Sequence, residues 1–413
     1  MLLSFRFENF RSFKEEQELS MIAGSGKEKA EVLIHASGVS EAVLPISATY
    51  GANASGKSNI LYALRFVVGA VERSHWRWVP EGGIPREPFA GTGSEAPSSF
   101  AVDFLDRDVR YQYSFSVNDE IVLDEWLYAY PKGKRQMWFT RRAGKPMSFG
   151  EKLTGDNRVI ENLTRPNSLF LSAAAQSNHQ SLLPVHHWFS GSINVILGER
   201  WEMQRTAAFC GNPQNRSLVV QMLSFADLGI ADLQVKPATS MKDMARPVSF
   251  DEILEAQTQI RLVHRVGGRE EVFAETQESA GTIAYLGLLG PIITAIRNGR
   301  IVCVDEFDSS LHPNLALQLI RLFNDKTSNP KGAQLIFNTH DTNVLSSGEL
   351  RRDEIWFTEK SPDGVSRLYS LGDFKPRKEE NVENGYLQGR FGAVPFMNVR
   401  KLRSAMGATN ETA

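Results

Sequence analysis

Two carboxylates stand side by side in the stretch VCVDEFDSSLHP, residues 302–313. Asp305 and Glu306 follow the apolar run 301–304, whose branched side chains predict a short buried strand. Successive side chains on a strand point to opposite faces, so the two acids cannot act as a simple pair on one face. Acids at the edge of a core need a cation, a water molecule to activate, or exposure to solvent. The last of these is the alternative without chemistry, a solvated strand end followed by a turn.

A second motif far upstream favours the cation. Residues 51–58 read GANASGKS and match G-x-x-x-x-G-K-[ST] in full. The strand-like VLPISATY precedes the motif, and an amphipathic helical pattern follows it, which is the context of a phosphate-binding loop. The alternative without a binding function is a chance glycine turn before a helix. The residues expected to hold the phosphates of a nucleotide are Gly51, Asn53, Ala54, Ser55, Gly56, Lys57, Ser58 and Asn59.

The two motifs together predict a site for ATP and Mg²⁺. Lys57 is expected to reach the β- and γ-phosphates, and the hydroxyl of Ser58 is expected to ligate magnesium. Asp305 is placed to hold the same ion, directly or through water. Glu306 is then the residue that orients or deprotonates the attacking water.

The stretch QESAGTIAYLGLLGPIITAI, residues 277–296, predicts an apolar helix with small polar residues at its start. Ser279, Ala280 and Gly281 would leave backbone N–H groups open there, which is a second anion site. An ordinary N-capped helix explains ESAGT equally well. One nucleotide needs only one γ-phosphate site within a chain, whereas two chains arranged head to tail would use both.

ESAGT lies upstream of Asp305 and resembles the signature motif of ABC-type ATPases, usually LSGGQ, with its serine–glycine core kept. The strand-like AQLIFNTHDTNVL places His340 where this family has its switch histidine, which contacts the γ-phosphate. SSLHP, after the acids, resembles the D-loop, and His312 within it is expected to be an interface or capping residue. A lone histidine such as His340 is otherwise more often structural.

The N-terminal FENFRSF resembles the first strand and turn of the RecF-like, break-repair and structural-maintenance ATPases. That resemblance implies that Arg11 and Ser12 approach the nucleotide. It also implies a Q-loop glutamine that ligates the metal, for which Gln176 fits better than Gln112; a surface amide is the alternative. The sequences RRDEIWFTEK, GVSRLYSLGDF and YLQGRFGAVPF resemble RloA-type ATPases of prokaryotic restriction-linked and phage-defence loci. The last of them is expected to be a docking or closing segment.

The resemblance implies an α/β fold, a single ABC-ATPase head over residues 1–413, with a mixed sheet around the phosphate-binding loop. Residues 1–175 are expected to form a lobe with strand 1, the phosphate-loop strand and an antiparallel meander. Residues 180–285 are expected to form a mainly helical lobe with the signature motif. Residues 286–396 would carry the acids and His340, and 397–413 a tail.

Composition limits the partners and the compartment. The net charge of −2 argues against a binder dominated by charge attraction to nucleic acid, although a local basic face remains open. Trp76, Arg77 and Trp78 could stack on bases, but packing beneath the following Pro/Gly-rich loop is the preferred interpretation. Two cysteines and a strand-like N-terminus favour the cytoplasm, and no sequence run is interpreted as a membrane span.

Two hypotheses describe what the ATPase would control. In the first, a homodimer senses infection and gates a separately encoded nuclease, because no D-x-D of a fused Toprim nuclease follows His340. In the second, the protein is a RecF-like clamp that acts on DNA itself. A basic groove would favour the second hypothesis.

Overall fold

The structure is a computed structural model, and it describes residues 1–26, 28–93, 95–198, 200–226, 229–236, 259–375 and 380–394. The predicted tail 397–413 therefore lies outside the described residues, as do 395–396 of the expected closing segment and 237–258 of the predicted helical lobe. The described strands form three sheets, and two of them enclose the first long helix.

The first sheet is antiparallel and has seven strands in the order β2-β1-β4-β5-β6-β7-β8. Side chains of β5 alternate between buried and half-buried positions, because one face of the sheet packs on the core. The predicted meander is this sheet. Its strands are β1 (Leu2–Glu8), β2 (Gln17–Ser20), β4 (Ser98–Asp106), β5 (Val109–Val117), β6 (Val122–Tyr130), β7 (Gln136–Arg142) and β8 (Ser148–Phe149).

The second sheet has six strands in the order β16-β15-β3-β14-β13-β9, all parallel except the edge strand β16. Its strands are β3 (Ile46–Gly51), β9 (Ile193–Ile196), β13 (Ile301–Val304), β14 (Gln334–Asn338), β15 (Ile355–Lys360) and β16 (Ser366–Ser370). The phosphate-loop strand β3 is central here and does not join the meander. Parallel strands have their carboxyl ends at the same edge of the sheet. The phosphate-binding loop, Asp305 and His340, which come after three of these strands, therefore lie at one edge.

Helix α1 (Lys57–Arg77) lies between these two sheets. Its residues Ile60, Leu64 and Val67 share one buried cluster with phenylalanines of the meander and with Cys303 of β13. The other helices are α2 (Asn157–Leu163), α3 (Phe170–Gln176), α4 (Leu183–Ser192), α5 (Arg200–Cys210), α6 (Pro213–Phe225), α7 (Ala280–Asn298), α8 (Pro313–Asn324), α9 (Asn343–Ser346) and α10 (Val382–Leu387).

The lobe predicted to be mainly helical is mixed. Besides α4 to α6 it holds a three-stranded antiparallel sheet of β10 (Ile230–Lys236), β11 (Gln259–Val266) and β12 (Arg269–Ala274). Gly267 and Gly268 join β11 to β12, both with positive φ (56° and 83°). A Gly-Gly pair between two β-prone runs is a hairpin signal, and the sequence interpretation overlooked it.

Helix α7 forms over most of the apolar stretch that the sequence predicted to be helical. It is the one helix among the described residues that is long and apolar enough to cross a membrane by length and composition. Of the most apolar 18-residue stretch of this helix, 61% is buried inside the protein. Its residues Leu286, Leu289 and Ile292 lie in a buried cluster with Val302 and Phe337 of the six-stranded sheet. Burial of this kind is what a core helix shows.

The expected closing segment packs on the six-stranded sheet. Tyr386 of α10 stacks on Phe357 of β15 with 5.5 Å between ring centroids, and Phe391 stacks on the same ring at 5.9 Å. The hydroxyl of Thr342 donates a hydrogen bond to Glu383 (2.9 Å). The segment therefore closes over the strands and the turn that follow the candidate site.

Candidate active site

The phosphate-binding loop connects the end of β3 to the start of α1. The Lys57 ammonium donates hydrogen bonds to the carbonyl oxygens of Gly51 (3.0 Å) and Ala52 (3.1 Å), which hold it at the mouth of the loop. Burial lowers the pKa of Lys57, while the nearby Asp305, Glu306 and Asp308 oppose that shift. A desolvated ammonium facing carboxylates is suited to bind a phosphate group, which replaces lost water with charge-assisted hydrogen bonds.

Individual loop residues divide between exposed and internal positions. Asn53 and Ala54 are exposed at the crest, with Ala54 in the left-handed region (φ 61°). Ser55 is 2% exposed, and its hydroxyl lies 2.6 Å from that of Thr358, so only its backbone is available to a phosphate. Gly56 has φ 115°, and a Cβ there would lie 2.7 Å from the hydroxyl of Ser366. The tight approach requires glycine.

Ser58 and Asp305 meet as the predicted magnesium site requires. The Ser58 hydroxyl donates to Asp305 Oδ1 at 3.0 Å, across 247 positions of sequence. The Asn338 amide donates to the same oxygen at 2.9 Å and fixes the carboxylate. Hydroxyl and carboxylate oxygens are ligands that Mg²⁺ accepts, and one or two of them suffice when phosphates complete its shell. These residues therefore fit the ion.

Glu306 leaves the strand by a left-handed turn. Its φ is 51°, an uncommon backbone for a residue other than glycine, and its side chain is exposed. The N–H of Phe307 donates to the Asn338 carbonyl (2.9 Å), which anchors the turn to β14. The two acidic side chains therefore diverge. Asp305 points toward Ser58, and Glu306 is exposed to solvent.

His340 lies two residues after the end of β14, in the same group of residues. Its backbone N–H donates to Asp308 Oδ1 (3.2 Å), and its side chain is exposed at the edge of the sheet. Partial burial lowers the pKa of His340, and the positive charge of Lys57 lowers it further against three neighbouring acids. This shift favours the neutral imidazole, in which one ring nitrogen donates and the other accepts a hydrogen bond.

The N-terminal turn braces the back of the loop. Arg11 pairs with both oxygens of Glu87 (2.9 and 3.0 Å), lies over the Tyr62 ring at 3.6 Å and donates to Asn59 (3.3 Å). Asn59 in turn donates to the Ser12 hydroxyl (2.8 Å). Arg11, Ser12 and Asn59 thus lie beside the loop as predicted, and their side chains hold one another.

Ser366 completes this brace. Its hydroxyl donates to Ser12 Oγ (2.8 Å) and lies 2.6 Å from the Ser55 carbonyl. Ser366, Thr358 and Asn338 are residues that sequence reasoning missed. No local motif marks them, because Thr358 and Asn338 lie on the two strands next to β3 and Ser366 lies on the edge strand β16 beyond β15, an order that only the folded sheet sets. Asn338 had one available signal, its place at the end of the strand that leads to His340.

The signature residues stand at the start of α7. Ser279 is the N-cap, and its hydroxyl accepts from the N–H of Thr282 (3.1 Å). A Cβ on Gly281 would lie 2.8 Å from the carbonyl oxygen of Ser310, so the helix start packs closely on the loop after the acids. Within the described residues, no hydrogen bond joins Ser279 to Lys57, Ser58 or Asp305.

The prediction for Gln176 is not supported. This residue is the exposed last residue of α3, and no hydrogen bond connects it to Lys57, Ser58 or Asp305 among the described residues. The helix is fastened to the distal end of α1, where the Ser74 hydroxyl accepts from Leu169 N–H and the Ser172 hydroxyl from His75 N–H. The alternative, a surface amide, describes Gln176. His312 is the N-cap of α8, as one of the two predicted roles required.

A family model described as "AAA domain, putative AbiEii toxin, Type IV TA system" matches residues 46–346, from β3 to the end of α9. The chain belongs to this AAA family. The match contains the phosphate-binding loop, Ser279, both acids and His340, so these residues lie within a domain of the AAA ATPase type.

Among solved structures, the chain is similar to "Crystal structure of the SmcHead bound to the C-winged helix domain of ScpA". That likeness has 16% identity and a TM-score of 0.47, and covers 91% of this chain and 99% of the other. No curated protein matches the sequence.

Proposed function

We propose that this AAA-family protein binds ATP with magnesium and hydrolyses it as a conformational switch. The observation that carries the proposal is the Ser58–Asp305 contact of 3.0 Å, because it joins the two predicted metal ligands beside the Lys57 ammonium. Around it stand a candidate base, Glu306, and a neutral histidine, His340. Each of the parts that phosphoryl transfer to water uses is thus present at one edge of the sheet.

The residues have distinct tasks in this proposal. Lys57 and the loop N–H groups bind the phosphates, while Ser58 and Asp305 hold the magnesium ion that neutralises phosphate charge. Asn338 keeps Asp305 turned toward Ser58. Glu306 accepts the proton of the attacking water from the open side of the turn, and His340 donates a hydrogen bond to the γ-phosphate.

Ser279 and Gly281 act, in this proposal, on the nucleotide of a second copy. The helix start at Ser279 offers backbone N–H groups to an anion, yet its contacts within the chain run to the loop at Ser310 and not to the phosphate-binding loop. A two-fold dimer closes this arrangement with two composite sites. ATP that bridges the two faces then favours the closed pair by mass action.

Light scattering on the Glu306→Gln variant tests this switch. With turnover blocked, ATP and magnesium should shift the species from 46.1 kDa to about twice that mass, or compact a dimer that already exists. Small-angle scattering separates the two cases, and ADP is the control ligand. A mass and shape that do not respond to ATP would refute the composite site.

For the biological role, we propose a cytoplasmic ATPase of the RloA type that gates a separately encoded nuclease in phage defence. Two features support it, the C-terminal sequence pattern and the toxin–antitoxin system named in the description of the family. Co-purification with the product of an adjacent nuclease gene, retained with ATP and released after hydrolysis, would test it.

A further inference from the structure

A groove lined with arginines runs along α1. It has a volume of about 1090 Å³, and its walls come from the N-terminal turn with Arg11, from α1 and the loop after it, from the end of α4, from the edge strand β9 and from α5. Five arginines line it, against two glutamates. The chain as a whole carries a net charge of −2, so this face departs from the average in sign.

The spacing of three of these arginines follows the helix. Arg65, Arg73 and Arg77 lie eight and four residues apart, which keeps them on one face and spreads them over about 18 Å of helix axis. Gly69 fills the remaining position of the series, and a Cβ there would lie 2.9 Å from the Arg73 guanidinium. The stripe is therefore continuous along the groove, and Arg205 faces it from α5.

Most of this charge is not neutralised by the chain itself. Arg65, Arg77 and Arg205 are exposed, and among the described residues none of them forms an ion pair. Arg73 has a single contact of 3.7 Å with Glu72. The other glutamate of the lining, Glu87, is already held by Arg11. Guanidinium groups arranged in this way suit a ligand with repeated negative charges, such as phosphates.

The tryptophans at the end of α1 narrow the class of ligand. Trp78 stacks on Phe66 (6.4 Å between centroids), as packing beneath the loop predicts. Trp76 does not follow that prediction, because its side chain is 58% exposed, three residues from Arg73 and next to Arg77. Trp76 is not itself part of the groove lining, but its indole N–H donates to the carbonyl of Glu72 (3.2 Å), a residue that is. An exposed, positioned indole is a stacking platform for an unpaired base.

We infer that this groove binds single-stranded nucleic acid, with its phosphates along Arg65, Arg73 and Arg77 and a base on Trp76. The inference goes beyond the proposed ATPase, and it requires neither ATP hydrolysis nor a nuclease partner. It places nucleic acid on the helix that begins at Lys57.

The decisive comparison uses two charge-matched double variants. Arg65→Glu with Arg77→Glu changes the groove, and Arg107→Glu with Arg269→Glu makes the same charge change at exposed sites outside it. Binding of a labelled oligothymidine to the full chain, measured by anisotropy without ATP, should weaken at least tenfold in the groove variant and stay within twofold in the control. Equal losses in both would show general charge attraction and overturn the site.

Salt and stacking give independent readouts. Loss of two phosphate contacts should lower the slope of log affinity against log salt by about 1.4. Trp76→Ala should weaken single-strand binding about tenfold and leave duplex binding unchanged. An unaffected affinity in Trp76→Ala, or tighter binding of duplex, would overturn the single-strand assignment, and equal competition by polyglutamate would show an acidic polypeptide site instead.

The ATP site supplies the control for folding and for the separate proposal above. The groove variant should bind ATP as the unsubstituted chain does, whereas Lys57→Ala should lose ATP and keep the oligothymidine. Failure of oligothymidine binding with normal ATP turnover would sink this inference and leave the proposed ATPase standing.

Discussion

The two faces that the proposed dimer brings together are built very differently within one chain. The phosphate-loop face (Lys57, Ser58, Asp305 and Asn338) is joined by hydrogen bonds of 2.9 to 3.1 Å between α1, β3, β13 and β14. The signature face (Ser279 and Gly281) has a helix cap and one close approach to Ser310. The first face is preorganised by its own fold. The second is a helix start capped by its own serine, and only the proposed dimer would bring its N–H groups to a nucleotide.

The largest expected effect tests whether the phosphate-loop face carries the chemistry. Glu306→Gln should lower ATP turnover by about 10³-fold, because an amide cannot accept a proton from water. Its ATP affinity should stay unchanged, since the residue lies on the open side of the turn. Phosphate release and calorimetry measure the two quantities. Turnover at the normal rate would remove Glu306 from the role of base.

Lys57→Ala should weaken ATP binding about 100-fold, since it removes a partly desolvated charge that binds phosphate directly. Calorimetry measures the change, with Lys152→Ala, an exposed lysine, as the matched control. If both variants bind ATP equally well, Lys57 does not bind the phosphates, and the phosphate-loop face does not have the role assigned to it.

Ser279→Arg probes the signature face alone. It should leave ATP binding to the single chain intact and lower turnover on the order of tenfold to 100-fold, by placing a bulky cation at the partner's phosphate. Ser279→Ala is the control, because it removes only the cap, worth about 1 kcal/mol of stability. Mixing Ser279→Arg with Lys57→Ala chains should restore at most one working site per dimer. Full activity of Ser279→Arg by itself would reduce the face to an ordinary N-cap.

Asn338→Ala gives the smallest expected effect and sharpens the account of the metal site. Without the 2.9 Å hydrogen bond to Asp305, the magnesium concentration for half-maximal turnover should rise about tenfold, while the maximal rate changes less. A magnesium titration of turnover measures this. An unchanged midpoint would show that Ser58 positions Asp305 without help.

Local motifs predicted the phosphate-loop face well, because a glycine loop between strand and helix has one dominant use. The same reasoning gave Gln176 a place at the metal that the described contacts do not support, since order along the chain does not say which part of α1 a later helix contacts. It also missed the sheet of β10 to β12, although the Gly267–Gly268 pair that joins β11 to β12 is a local hairpin signal. Ser55 was predicted at the phosphates, yet its hydroxyl turned inward to Thr358, a partner 303 residues away.

By itself the sequence determined the kinds of chemistry available: a lysine and a serine after a glycine loop, two acids after one strand and a histidine after another. Their meeting was decided only by the order of β15, β3, β14 and β13 in the sheet, because hydrogen bonding between strands is not encoded in the spacing of a motif. The same holds for Trp76. Its type and its neighbour Arg77 were visible in the sequence, but only the path of the chain around α1 left the indole exposed, with its N–H bonded to the carbonyl of Glu72 in the groove lining.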